Sequence, residues 1–356
     1  MRKALVTGAA GFIGSNVVRE LMDEGVEVKA MVLPGEDTRN LRGLSIEMVE
    51  GDILDPASLD RALAGCDTLF HLAALYSIFV RDRAKFYEVN LQGSRNVLWA
   101  ASKSDVEKVV YTSSIAALGL KPGKELTDEE TPFNQFHMAN DYVMTKYLSQ
   151  QEALTFAREG MPIVIVNPCF PYGEGDVAPT PTGKFILDAA GGMQFMAFEG
   201  GVNVVDVKDV ARGHVLAAKH GKVGEKYILG NANVTMQELF EMAAEAAGIR
   251  TRFIKMPMPL VILYGHTLER YARATGNQPL TTAREVKYSS QYLFYDPSKA
   301  WRELGLEPSP VKESVGRAVE WFKSEGYLPR RGPWCYTVRA LSFLSGFLPK
   351  RREAAG

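Results

Sequence analysis

The sequence is poor in cysteine and carries almost no net charge. Cys66, Cys169 and Cys335 form no CxxC pair and leave one unmatched, which argues against a disulfide framework and offers no zinc spacing. With 41 basic and 42 acidic residues the formal charge is −1, far from the basic excess of a dedicated nucleic-acid binder. Histidine is equally sparse. His71, His137, His214, His220 and His266 are scattered without an HExxH or close ligand set, so no metal site is expected. The apolar run after Met1-Arg2-Lys3 is too short for a signal-peptide core, and a cytoplasmic protein is expected. No repeat of about 20 to 50 residues is visible, which argues against a solenoid or propeller.

What is present is an ordinary globular composition, 46% hydrophobic and 23% charged over 356 residues, enough for one large α/β domain with an appendage or for two domains. Up to residue 170, short β-rich runs alternate with helix-length stretches. Ala4–Thr7, Val26–Leu33, Ile46–Glu50, Thr68–Leu72, Val109–Ser113 and Pro162–Asn167 predict six strands of a parallel sheet, several of them apolar throughout as burial on both faces requires. Tyr87–Lys103 predicts a helix between the fourth and fifth strands. Beyond Asn167 loops rich in Pro and Gly alternate with helices, among them Met236–Ala247, capped by Thr235 and closed by Gly248, and Ser309–Lys323.

The first strand runs into Thr7-Gly8-Ala9-Ala10-Gly11-Phe12-Ile13-Gly14, and a helix follows. Glycines in a strand-to-helix turn permit a tight bend, close approach of a pyrophosphate and close packing of helix on strand, while the helix N-terminus offers free N–H groups. Tyr142 and Lys146 stand one helical turn apart after Asn140 and Asp141. An ammonium beside a phenol favours the phenolate, lowering its pKa from about 10 toward a useful range, and a serine hydroxyl can hold a substrate oxygen against it. Tyr111-Thr112-Ser113-Ser114 ends the fifth strand at the edge where open α/β sheets bind ligands. A second YxxxK, Tyr295–Lys299, contains Pro297 and belongs in a loop rather than in a helix.

TGxxGxxG with YxxxK resembles the extended, epimerase-like branch of the short-chain dehydrogenase/reductase family, and nearly the whole chain follows the family order. The resemblance implies a Rossmann-type doubly wound α/β fold: a dinucleotide-binding domain over 1–170, a substrate-binding region over 171–332 with some return to the core sheet, and an apolar, basic tail over 333–356. It implies Ser114, Tyr142 and Lys146 as catalytic residues. Implied contacts to NAD or NADP are Gly8, Gly11, Phe12, Ile13, Gly14, Asp52, Ile53, Leu72, Ala73, Ala74, Asn90, Tyr142, Lys146 and Pro168, with Asp52 on the adenine amino group. The end of the second strand, Met31-Val32-Leu33-Pro34, has neither the acidic residue for a ribose diol nor an arginine. Arg39 and Arg42 are candidate phosphate contacts or solvated surface groups.

On the substrate side, Asn167-Pro168-Cys169-Phe170-Pro171-Tyr172-Gly173 resembles the family's NPxxxYG turn. Tyr76, Cys169, Phe170 and Tyr172 are candidate pocket residues, and Asp206 and Asp209 read as loop or cap residues. Val202 stands where nucleotide-sugar epimerases carry a diphosphate-binding arginine. Met256–Tyr264 is apolar, either covering a greasy substrate or forming an ordinary buried helix. The segment Pro333–Leu348, bracketed by Arg330, Arg331, Lys350, Arg351 and Arg352, is too short to span a membrane. It suits peripheral contact with anionic lipid at the inner face of a membrane, its own domain, or a second subunit in a homodimer. The nearest resemblance, including Asp176–Gly183, is to the hopanoid-associated, dihydroflavonol-reductase-like group and the neighbouring 3β-hydroxysteroid dehydrogenase/C4-decarboxylase enzymes. The function implied is hydride transfer at a secondary alcohol or ketone of a lipophilic small molecule, a sterol or triterpenoid. A sugar epimerase is the alternative; a non-enzymatic NAD(P)-binding scaffold comes third, against the presence of Ser114, Tyr142 and Lys146.

Overall fold

A computed structural model describes residues 1–76, 82–192, 196–197, 199–249, 254–255, 257–275 and 290–328. Alternate side chains of each central strand are buried on opposite faces of one sheet, which is why these strands read as continuous apolar runs. Leu5, Leu69, Val109 and Ile163 pack into one core; Val6, Phe70, Val110 and Val164 pack into the other. The first six strands are β1 Lys3–Thr7, β2 Glu27–Val32, β3 Glu47–Glu50, β4 Thr68–His71, β5 Lys108–Thr112 and β6 Ile163–Pro168. These are the six expected strands with small shifts at their ends. Further along come β7 Phe170–Tyr172, β8 Met196–Ala197, β9 Gly201–Asp206 and β10 Lys226–Leu229. After them come β11 Ala232–Thr235, β12 Ile254–Lys255 and β13 Tyr292–Leu293.

The main sheet has the order β10-β6-β5-β4-β1-β2-β3, and every pairing in it is parallel. The chain builds outward from β1 through β2 and β3, then crosses to β4 and builds the other way. The crevice at the carboxyl ends of β1 and β4 is therefore the switch point where ligands bind in such sheets. Strand β10 brings the later half of the chain back against β6. A second sheet places β9 between β11 and β13, with β7 also paired to β9.

The stretch expected as one helix, Tyr87–Lys103, is instead a composite. It starts at Ala84–Phe86, continues as a π-helix over Tyr87–Gly93 and returns to α-helix over Ser94–Ala101. The expected helix after Thr235 spans Met236–Ala246 with a capping box between Thr235 and Glu238. The last described helix is Val311–Ser324. Ser309 lies before it because Asp209 takes both its N–H and its hydroxyl, at 2.7 and 3.0 Å.

Candidate active site

The turn after β1 is shaped by what its glycines leave out. Gly8 has φ +68°, and a Cβ on it would lie 2.8 Å from the Ala73 nitrogen at the end of β4. A Cβ on Gly14 would lie 2.1 Å from the Gly8 carbonyl oxygen. These two positions exclude side chains by packing. Gly11 differs: its Cβ would meet only the Gly8 oxygen, at 3.2 Å, and the residue is exposed. It is the N-cap of the Phe12–Asp23 helix and provides no side-chain cap, so the first N–H groups of that helix face an open cradle of backbone, as a pyrophosphate needs. Phe12 and Ile13 form the first turn above it.

Beneath the cradle a buried hydroxyl network fixes the end of β4. Thr7 Oγ1 accepts the N–H groups of Leu72 and Ala73, both at 3.2 Å. Its own proton therefore goes to His71 Nδ1 at 2.8 Å, leaving the Nε2 proton for Ser94 Oγ at 3.0 Å. Burial, and secondarily the charge of Lys146, push the His71 pKa down to about 3. The ring is accordingly neutral and structural, and Leu72, Ala73 and Ala74 follow it along the cradle.

Asp52 and Ile53 lie just past β3. Asp52 Oδ1 accepts the Leu54 N–H at 2.9 Å, and its own N–H is held by Ser58 Oγ at 3.0 Å. Asn90, within the π-helix, is buried and clamps the other rim. It accepts the Leu75 N–H at 2.6 Å and donates to the Leu75 carbonyl at 3.1 Å and to Thr145 Oγ1 at 3.2 Å. Two residues not singled out in the sequence stitch the cradle to the later half of the chain. Asn16 donates to the Glu174 carbonyl at 3.1 Å, and Asn40 donates to the Ala10 and Gly175 carbonyls at 3.3 and 2.9 Å. Of the two candidate phosphate arginines, Arg39 is exposed and paired with Asp37 at 2.6 Å, and Arg42 is exposed.

Ser114, Tyr142 and Lys146 are brought together at the carboxyl edge of the sheet. Asn140 caps the Asp141–Arg158 helix through the Val143 N–H at 2.9 Å, which sets the phase of Tyr142 and Lys146. Ser114 caps a short 3-10 turn over Ile115–Ala117 by accepting the Ala116 N–H at 3.1 Å. Burial pushes the Tyr142 phenol up to about 12, and the neighbouring Ser114 hydroxyl offsets this only in part. The expectation that Lys146 lowers the phenol is thus corrected: desolvation of the anion dominates, and the Lys146 ammonium is 3.1 Å from the Thr112 carbonyl, to which it donates. Burial brings Lys146 itself down to about 8.

The substrate-side candidates divide. Tyr76 is exposed, its ring 4.9 Å from that of Tyr142, and Phe170 is half-buried, 6.0 Å from Phe185. Tyr172 is 0% exposed and its phenol is bonded to Ser314 Oγ at 2.6 Å, so it is a strut to the Val311–Ser324 helix rather than a pocket wall. Cys169 is 6% exposed, packed where a Cβ on Gly230 would meet its sulfur at 2.8 Å, and burial raises its thiol pKa; it too belongs to the core. The physical reason is that Phe170–Tyr172 is itself strand β7, paired to β9. Pro168 ends β6, opposite Leu229.

Val202 is buried within β9. Asp206 caps the Val207–His220 helix and pairs with Arg317 at 2.6 Å. Asp176 is buried and pushed up to about 6 by burial, while accepting from the Thr180 N–H and hydroxyl. The second YxxxK is split. Tyr295 is buried, whereas Lys299 turns to Glu225 at 2.6 Å. The apolar stretch around 256–264 opens a helix, Met258–Thr275, whose Leu260 and Leu263 are 50% and 59% exposed, so those two side chains are not core. Residues 329–356, and with them the apolar tail and its flanking arginines and lysines, lie outside the described residues. No helix among the described residues is long and apolar enough to cross a membrane, and none of their side chains cluster as a metal site.

Residues 4–230 match the family described as NAD dependent epimerase/dehydratase. A Synechocystis sp. protein named "Putative dihydroflavonol 4-reductase" is 39% identical over 91% of this chain and 95% of its own length. Sterol demethylase protein B of Methylococcus capsulatus is 32% identical over 91% of this chain and 99% of its own. The crystal structure of gox2253 superposes with a TM-score of 0.83 at 39% identity, covering 92% of this chain and all of the other.

Proposed function

From the chain's membership of the NAD-dependent epimerase/dehydratase family, we propose that it transfers hydride at a secondary alcohol or ketone of a lipophilic polycyclic substrate, a 3β-hydroxysterol or triterpenoid. Membership makes the chain an NAD(P)-dependent oxidoreductase of the extended short-chain dehydrogenase/reductase type. The backbone cradle of Gly8, Gly11 and Gly14, which side chains would fill, fits a dinucleotide pyrophosphate, with Asp52 and Ile53 at the adenine end and Leu72, Ala73, Ala74, Asn90 and Pro168 along the remainder. When bound, the nicotinamide takes up or returns the hydride.

Within that frame Tyr142 moves the proton at the substrate oxygen. Ser114 donates a hydrogen bond to the same oxygen, where negative charge develops during hydride transfer. Lys146, with a pKa near 8, is mainly protonated at pH 7, and its ammonium, held on the Thr112 carbonyl, fixes the turn that leads into Ser114 rather than lowering the phenol. Ser114 and Tyr142 are half-buried, whereas Lys146 is buried. Where the substrate bears a carboxylate β to the alcohol, oxidation produces a β-keto acid. Its C–C bond then breaks, the electron pair passes to the ketone as an enolate, and CO₂ leaves.

The observation that carries the substrate class is Val202. It is buried in β9, at the position where, by the family resemblance, nucleotide-sugar epimerases carry a diphosphate-binding arginine. Kinship with sterol demethylase protein B supports the same direction. The test is incubation with NAD and with NADP against a panel of polycyclic alcohols, a 4-carboxysterol and nucleotide sugars. Net nicotinamide absorbance change with a polycyclic alcohol is expected. Efficient conversion of a nucleotide sugar, with no polycyclic alcohol turned over, overturns the reading in favour of an epimerase.

A further inference from the structure

We infer that Tyr295, which lies in the later half of the chain, is a positioning residue for Ser114 and couples the second sheet to the proton-transfer site. The inference rests on the proposed role of Ser114. The Tyr295 side chain is 2% exposed, and its single phenolic proton is shared between the Ile115 carbonyl at 3.3 Å and the Gly119 carbonyl at 3.4 Å. Those carbonyls bracket the 3-10 turn that Ser114 opens. Because Ser114 Oγ accepts the Ala116 N–H within that turn, the direction of its remaining lone pair and proton follows the turn's geometry.

Tyr295 is itself anchored by the second sheet. Its N–H donates to Asn233 Oδ1 at 3.0 Å, and its carbonyl accepts from Asn233 Nδ2 at 2.9 Å and Asn203 Nδ2 at 3.2 Å. Asn233 belongs to β11; Asn203, fully buried, belongs to β9. The entry to the Ser114 turn is held from the opposite side. Asn167 Nδ2 donates to the Ser114 carbonyl and to Gln150 Oε1, both at 2.7 Å, and Gln150 sits on the helix that carries Tyr142 and Lys146. One anchor thus registers Ser114 with the phenol, and the other registers it with the sheet that flanks the substrate region. A phenylalanine at 295 fills the same space without the donor, so the hydroxyl's contribution is separable from packing.

The experiment is a double-mutant cycle of Tyr295→Phe with Ser114→Ala, assayed with whichever substrate the panel above selects, alongside NADH titration by fluorescence. Tyr295→Phe is expected to lower kcat by about threefold to tenfold, the span of one ordinary net hydrogen bond, with KM and the NADH Kd unchanged. In the Ser114→Ala background the same substitution is expected to change kcat by less than about twofold, because a residue acting through Ser114 is not additive with its loss. Unchanged kcat in Tyr295→Phe, or an undiminished loss in the Ser114→Ala background, overturns the inference and leaves the reading of Ser114 standing. A Ser114→Ala variant that retains wild-type rate overturns the reading and the inference with it. If Tyr295→Phe does not fold, Asn233→Ser loosens the same anchor from the second sheet and is held to the same non-additivity with Ser114→Ala.

Discussion

Around the glycine turn the decisive contacts are backbone against backbone, a Cβ on Gly14 falling 2.1 Å from the Gly8 oxygen and one on Gly8 2.8 Å from the Ala73 nitrogen. Across the substrate-facing half they are side chains reaching far along the chain, from Tyr295 to Ile115 across 180 positions and from Tyr172 to Ser314 across 142. The first region is rigid by exclusion, since nothing larger than hydrogen fits at Gly8 or Gly14. The second is rigid by pairing, since each buried polar group must find a partner. Substitutions in the two regions should therefore fail differently.

The largest effect is expected where the regions meet. Tyr142→Phe keeps the ring and deletes the transferable proton, so turnover should fall by about two to four orders of magnitude with NADH affinity preserved. Near wild-type turnover in this variant would remove the phenol from the mechanism.

Lys146 offers a second test, of opposite sign in stability. Its folded pKa of about 8 lies below the ordinary 10.5, so between those values the unfolded chain binds the proton that the folded chain has released. Stability thus rises with pH through that window, and the cost of burying the ammonium is in full force below it. Lys146→Met should therefore raise stability at pH 7, by up to about 3 kcal/mol from the size of the shift, while lowering turnover by less than Tyr142→Phe does. The gain should shrink toward zero by pH 10.5. Chemical denaturation of both proteins across this range checks it, and a gain independent of pH would refute the assignment.

Gly11→Val sharpens the contrast within the turn. Because a Cβ there meets a single oxygen at 3.2 Å, the chain should fold while the side chain occupies the cradle. NADH affinity is expected to drop about tenfold to a hundredfold, or about 1.4 to 2.7 kcal/mol. Unaltered binding in the folded variant would move the cofactor elsewhere. Smallest is Tyr172→Phe, which removes only the bond to Ser314. Unfolding free energy should fall by about 1 kcal/mol with kcat/KM unchanged, and a selective loss of kcat/KM would return Tyr172 to the pocket.

The same division explains what was legible in the sequence. Gly8, Gly11 and Gly14, and the one-turn separation of Tyr142 and Lys146, are local spacings with a direct geometric meaning, and the apolar runs of the main sheet announce burial on both faces. Cys169 and Tyr172 misled because a Pro-rich stretch after a strand reads as a loop, and three residues of β7 are too few to show alternation. Its partner β9 lies more than thirty positions on. The phenol's pKa was misjudged for a related reason: the neighbouring lysine is visible in the spacing, but the depth of burial is not. Asn16, Asn40 and Gln150 left no local signal, since an amide that bridges two distant segments looks like any surface amide until the segments meet.

The π-helical stretch Tyr87–Gly93 carries a constraint on how this protein can change over generations. Asn90 must face Leu75 and Thr145, while Ser94, one turn later, must face His71 and Tyr111, and Gly93 between them leaves room for Ile53, whose Cδ1 would lie 2.5 Å from a Cβ there. Losing or gaining one residue here would rotate everything on one side of the change by about 100° relative to the other, and one of the two polar side chains would leave its partners. Surface loops tolerate drift in length; this stretch is frame-locked, and its residue count should persist among descendants whose surrounding loops have grown or shrunk.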